Sequence, residues 1–105
     1  MKTYFTLLTC FIFCICQSQK ITFNLASNPS FKIDYFGAIK NDKANGYGTG
    51  TIYKNEKIIA NYNGDWKEND ITGKGKLAYI ESGDTYEGEF LEGLQEGKGI
   101  YTWAT

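Results

Sequence analysis

Three stretches of this chain line up without a gap: "YFGAIKNDKANGYG" from Tyr35, "YNGDWKENDITGKG" from Tyr62 and "YEGEFLEGLQEGKG" from Tyr86. Each opens Tyr-x-Gly, and each carries a second glycine nine positions after the first. The pairs are Gly37 and Gly46, Gly64 and Gly73, Gly88 and Gly97. A third glycine follows two residues later, at Gly48, Gly75 and Gly99. The leading tyrosines are 27 and then 24 residues apart, so the first unit holds about three extra residues in its second half. A period in the twenties, too short for a domain, implies small supersecondary units that bury their apolar faces by standing side by side.

One unit reads as a β-hairpin. Alternate residues of a strand share a face, which puts Tyr62, Gly64 and Trp66 together, with Gly73, Gly75, Leu77 and Tyr79 together on the return strand. Glycine opposite or diagonal to an aromatic ring lets the ring lie over bare backbone. Asp42, Asn69 and Gly93 stand seven residues after each leading tyrosine. These residue types best tolerate a left-handed backbone, so a shared turn with positive φ is expected there. "ESGD" (81–84) supplies turn residues between the second and third units. The alternate face carries Asn63, Asp65, Lys67, Lys74, Lys76, Glu87, Glu89 and Lys98 and is expected to be wet. The fold class is therefore all-β: an antiparallel meander of repeated hairpins forming one elongated, twisted sheet with a single aromatic face.

Ahead of the repeats, "ITFNL" (21–25) alternates as a strand, Ser27-Asn28-Pro29-Ser30 reads as a turn, and "FKIDYFG" alternates again into the first unit. Residues 19–34 form an N-terminal strand or cap, followed by repeats at 35–61, 62–85 and 86–105. The first 18 residues read as a signal peptide. Lys2 precedes the apolar run Tyr4 to Cys16, which is too short to span a bilayer, and Cys16-Gln17-Ser18 offers a small-residue cleavage site. Export to the envelope, periplasm or medium is the expectation, and no lipidation is expected.

All three cysteines lie in that leader, so a chain cut after Ser18 has no disulfide, thiolate metal site or cysteine nucleophile. There is no histidine, which excludes most nucleophilic and zinc chemistry. There is no arginine either, and nucleic acid is not an expected partner. "GLQEGKG" (93–99) and "TGKGK" (72–76) miss the spacing of a Walker loop and its following Ser or Thr. The carboxylates Asp65, Glu68, Asp70, Glu81, Asp84, Glu87 and Glu89 show neither a calcium-loop spacing nor a cleft for glycoside hydrolysis. No enzyme, cofactor or metal is expected.

Tyr-x-Gly-x-aromatic, a glycine-prone turn, Gly-x-Gly, then aliphatic and aromatic residues: this resembles the MORN repeat (membrane occupation and recognition nexus). "YNGDWKENDITGKGKLAYIESGD" is the closest copy. In the first copy Ala38 and Ile39 replace the usual acidic and aromatic pair, and a short insertion follows Gly50. The resemblance implies hairpin units in an elongated sheet, with roles in protein–protein contact, self-association or phospholipid attachment.

The expected function is non-catalytic: contact with a protein partner or a second copy through the aromatic face and an open terminal strand, a scaffold role. Membrane-lipid binding through the amino-terminal lysines is the alternative, and glycan binding the third. The candidate contact residues are Tyr62, Trp66, Tyr79, Tyr86, Phe90, Tyr101 and Trp103. Core packing is the competing role for most of them. Glu87, Glu89, Glu92 and Glu96 near the last strand favour a basic partner.

Overall fold

The computed structural model describes residues 18–105, and the leader expectation lies outside the described residues. Seven antiparallel strands form one sheet in chain order, the meander the repeats require. They are β1 (Ser18–Leu25), β2 (Asn28–Lys40), β3 (Lys43–Lys54), β4 (Lys57–Lys67), β5 (Asp70–Tyr79), β6 (Thr85–Leu91) and β7 (Leu94–Thr102). The three repeat hairpins are β2–β3, β4–β5 and β6–β7.

Their turns follow from backbone chemistry. Asn41-Asp42, Glu68-Asn69 and Glu92-Gly93 all have positive φ at both residues, from 46° to 82°. This is the mirror-image two-residue turn whose twist suits a right-handed strand pair. Residue type at a fixed distance from the tyrosine pointed to the second residue of each pair; the first joins it because that turn type requires both. Asn55-Glu56, which links β3 to β4, takes the same form. The long β3–β4 hairpin absorbs the three extra residues of the first repeat, whereas β5 and β6 end early around the turn at Gly83 (φ 80°).

One expected turn lies elsewhere. The chain reverses at Ala26 and Ser27, and Asn28-Pro29-Ser30 already belongs to β2. Pro29 sits where the β1–β2 register jumps from the pair Asn24–Lys32 to Leu25–Asn28. A residue without an N–H is tolerated at such an irregularity.

Each repeat contains a register shift: between Gly37 and Ile39, Gly64 and Trp66, and Gly88 and Glu89. Gly73, on the bulged return strand, has φ +117°, and Gly46 and Gly97 are also positive. The first glycine of Gly-x-Gly is thus kept for its backbone conformation. The second has a different reason. A Cβ on Gly48, Gly75 or Gly99 would fall within the ring of Tyr35, Tyr62 or Tyr86, which lies flat over it. Each of those hydroxyls donates to a carbonyl three residues on: Ala38 O (2.7 Å), Asp65 O (3.2 Å) and Glu89 O (3.3 Å). The leading tyrosine therefore fills the space above two glycines and supplies a donor at the bulge. In the central repeat the acidic residue adds to this, since Asp65 Oδ2 accepts from Lys74 N at 3.0 Å.

Neighbouring repeats are joined beyond the ladder. Asn69 N donates to Ala44 O (3.0 Å), and Ala44 N returns a bond to Asn69 Oδ1 (2.8 Å). One repeat later Gly93 N donates to Ile71 O (2.8 Å). Each turn thus grips the second residue of the preceding return strand.

The sheet is coiled. In a flat sheet β1 and β4 would stand roughly 14 Å apart, yet Ala26 N donates to Asn69 O at 2.9 Å and Phe23 meets Trp66 at 6.0 Å between ring centroids. The inner face is therefore the concave one. Its core comprises Leu25, Ile33, Tyr35, Ala44, Ile52, Ala60, Tyr62, Trp66, Ile71, Tyr86 and Phe90.

Burial of the tyrosine hydroxyls makes the fold sensitive to alkali. Burial pushes Tyr35 up to about 12, and pushes Tyr62 further still, with the nearby Asp65 charge adding to it. Their raised values stabilise the fold fully below the ordinary tyrosine value of about 10. That contribution is lost as pH rises through the folded-state values. Thermal unfolding followed by circular dichroism should give a midpoint insensitive to alkali up to about pH 9 and a steep decline above about pH 10. Tyr35→Phe should flatten part of that decline; an identical slope would refute the assignment.

Candidate functional site

The inner face divides the seven candidate aromatics into two groups. Tyr62, Trp66, Tyr86 and Phe90 are no more than 7% exposed and belong to the core. Edge-to-face contacts link them in a file: Tyr35 to Trp66 (5.1 Å), Trp66 to Tyr62 (5.4 Å), Tyr62 to Phe90 (5.1 Å) and Phe90 to Tyr86 (5.2 Å). Trp66 Nε1 also donates to Gly48 O at 3.1 Å, so its one polar atom is satisfied internally. A ring enclosed on every side offers no surface to a ligand, and the contact role is withdrawn for these four. Trp66 covers Tyr35 and Gly50 of the unit before it and Phe90 covers Tyr62, while Tyr86 is packed by Phe90 of its own unit.

The remaining three lie together at the open end of the concave face. Tyr79 and Tyr101 have centroids 6.4 Å apart, and Tyr101 and Trp103 5.3 Å apart. Tyr79 is half-buried, Tyr101 is 38% exposed and Trp103 is 71% exposed. Asp84 fixes the row: its Oδ2 accepts from the Tyr101 hydroxyl (2.8 Å) and its Oδ1 from Ala104 N (2.9 Å). The hydrogen bond to Asp84 raises the Tyr101 hydroxyl above the usual tyrosine value. Gln95 Nε2 donates to the Tyr79 hydroxyl at 3.2 Å. Beside these rings runs a shallow groove lined by Leu77, Tyr79, Phe90, Gly93, Leu94 and Gln95. Sequence reasoning missed Asp84, Leu94 and Gln95. Their only signal was position, Asp84 in a turn and the other two at the start of β7.

Strand β7 is exposed at every residue, with Leu94 and Ile100 each at 71%. Among the described residues it pairs only with β6. The acidic charge nearby is partly offset, since Lys76 stands opposite Glu87 and Lys74 opposite Glu89 across β5–β6. That local balance weakens the expected preference for a basic partner. No three carboxylates among the described residues are placed to hold a metal ion.

The glycine pairs, the bulges and the ring file recur at a constant position in each hairpin, and that recurrence agrees with the comparison by family. The MORN repeat model matches residues 35–49, 62–81 and 86–105, together just over half of the chain. The chain belongs to the MORN repeat family. The first match ends just before Gly50, where the first repeat carries its insertion. MORN repeats are non-catalytic modules that commonly mediate contact with proteins or membranes.

Proposed function

We propose that this MORN protein is an exported scaffold whose third repeat makes contact with a protein partner or with a second copy of the chain. The observation that carries this is the contrast along one face: Tyr35, Tyr62, Trp66, Tyr86 and Phe90 are enclosed, while Tyr101, Trp103 and the whole of β7 stay exposed beside the half-buried Tyr79. An exposed strand offers ladder hydrogen bonds, and an adjacent row of rings offers apolar area at low entropic cost.

The two tryptophans make this measurable. Trp66 is 2% exposed and Trp103 71% exposed, so a partner covering the site blue-shifts Trp103 emission and leaves Trp66 unchanged. Trp103→Ala should alter folding stability by less than ~0.5 kcal/mol and weaken association by about 2 kcal/mol, roughly thirtyfold. Light-scattering mass against concentration reads the self-association arm. A variant that folds and associates as the parent does would remove Trp103 from the site.

A second reading has its own observation. Lys32, Lys54 and Lys57 surround the β3–β4 hairpin, where Ile58 is 42% exposed and Lys32 and Lys54 lie over the Tyr53 and Phe31 rings. This end suits an anionic lipid surface. Flotation with anionic but not neutral vesicles, abolished by salt, is the result that reading requires.

A further inference from the structure

The concave face of the first two repeats is closed by the chain's own β1 and the Ala26-Ser27 turn after it. Phe23 on β1 packs on Tyr35 and Trp66, both at 6.0 Å between centroids, and Leu25 is buried beside them. These residues lie outside the repeats, and among the described residues β1 pairs in the sheet only with β2. At the hairpin tip two hydrogen bonds cross from the Ala26-Ser27 turn to the start of the central return strand. Ala26 N donates to Asn69 O (2.9 Å), and Ser27 Oγ donates to Asp70 Oδ1 (2.7 Å). Asp70 is a buried acidic residue at 8% exposure, and among the described residues its side chain otherwise accepts from Ile71 N at 3.1 Å. Ser27 itself is exposed.

We propose that β1 and its Ala26-Ser27 turn form a strap, latched by Ser27 on Asp70, that peels from β2 as a unit to uncover Trp66 and Tyr35. In a repeat array each unit touches only its neighbours, so an end element that folds back across two strands opens separately from the sheet it covers. The strap has the chemistry of a bound peptide: an extended segment presenting Ile21, Phe23 and Leu25 at alternate positions to the rings. Its release would extend the exposed aromatic face from the third repeat into the first two. This assignment stands independently of the contact role proposed for Trp103.

Ser27→Ala removes the latch hydrogen bond from an exposed position and leaves the core intact. Hydrogen exchange over residues 21–25 is expected to rise about tenfold or more, the size of one such bond, with exchange in β5 and β6 unchanged. In a Trp103→Phe background, acrylamide quenching then reports on Trp66 alone, and Ser27→Ala should increase it. Asp70→Ala should behave like Ser27→Ala, whereas Asp70→Asn, which keeps an acceptor oxygen, should restore much of the protection. Unchanged exchange at 21–25, or an equal rise throughout the sheet, would overturn the proposal. The first result means that Ser27 holds nothing, and the second that β1 is one cooperative unit with the repeats.

Discussion

Gly75→Ala is expected to cost about 3 kcal/mol or more, enough to leave a chain of this size largely unfolded near its normal melting temperature. A methyl group at this position would enter the Tyr62 ring. That ring cannot retreat. It has no exposed area, Trp66 and Phe90 pack against it edge-on, and Gly64 lies beneath it facing Gly75. The equivalent change in the third repeat, Gly99→Ala, meets Tyr86 in the same way. Its effect should be smaller, because β7 is exposed throughout and can shift outward. Denaturant unfolding of the two variants side by side tests the argument. Equal losses would mean that the tyrosine-over-glycine contact is not what makes the position intolerant.

The second large effect belongs to Trp66→Ala, expected to destabilise by about 3–5 kcal/mol, or at least ~12 °C in melting temperature. Trp66 joins the first repeat to the second. It contacts Phe23, Tyr35 and Tyr62, and its indole N–H is bonded to Gly48 O. Its removal leaves a cavity in the middle of the ring file and takes the indole donor from Gly48 O. Trp66→Phe should be milder, roughly 1–3 kcal/mol, since phenylalanine occupies the matching place at Phe90. A Trp66→Ala variant that lost less than ~1 kcal/mol would show that the repeats hold together through their backbone ladder alone.

Much of the architecture was legible because glycine and aromatic residues report on backbone geometry directly. Asp42, Asn69 and Gly93 marked their turns, and all three have positive φ. The strand glycines were read together as space for rings, and at Gly48, Gly75 and Gly99 the rings lie there. The first glycines carried less information. Gly46, Gly73 and Gly97 sit at bulges, and a bulge breaks the alternation from which strand faces are read. The turn at Ala26-Ser27 was hidden by the stronger signal of Asn28-Pro29-Ser30 next to it.

The candidate site was less legible. Tyr62, Trp66, Tyr86, Phe90, Tyr101 and Trp103 are equivalent in a one-dimensional pattern: all are aromatic and on the inner face. What separates them is whether another element lies over them. The sequence by itself determined the repeat period, the hairpins, the turn positions and the face on which the rings gather, because these depend on near neighbours in the chain. Only the tertiary structure decided which rings are enclosed. Coiling brings Phe23 of β1 onto Trp66 of β4, Trp66 and Phe90 each pack on the tyrosine of the repeat before, and Phe90 also on its own Tyr86, while Tyr101 and Trp103 on and beyond the edge strand β7 stay exposed. Exposure depends on contacts between strands far apart in sequence, and local alternation carries no record of those contacts.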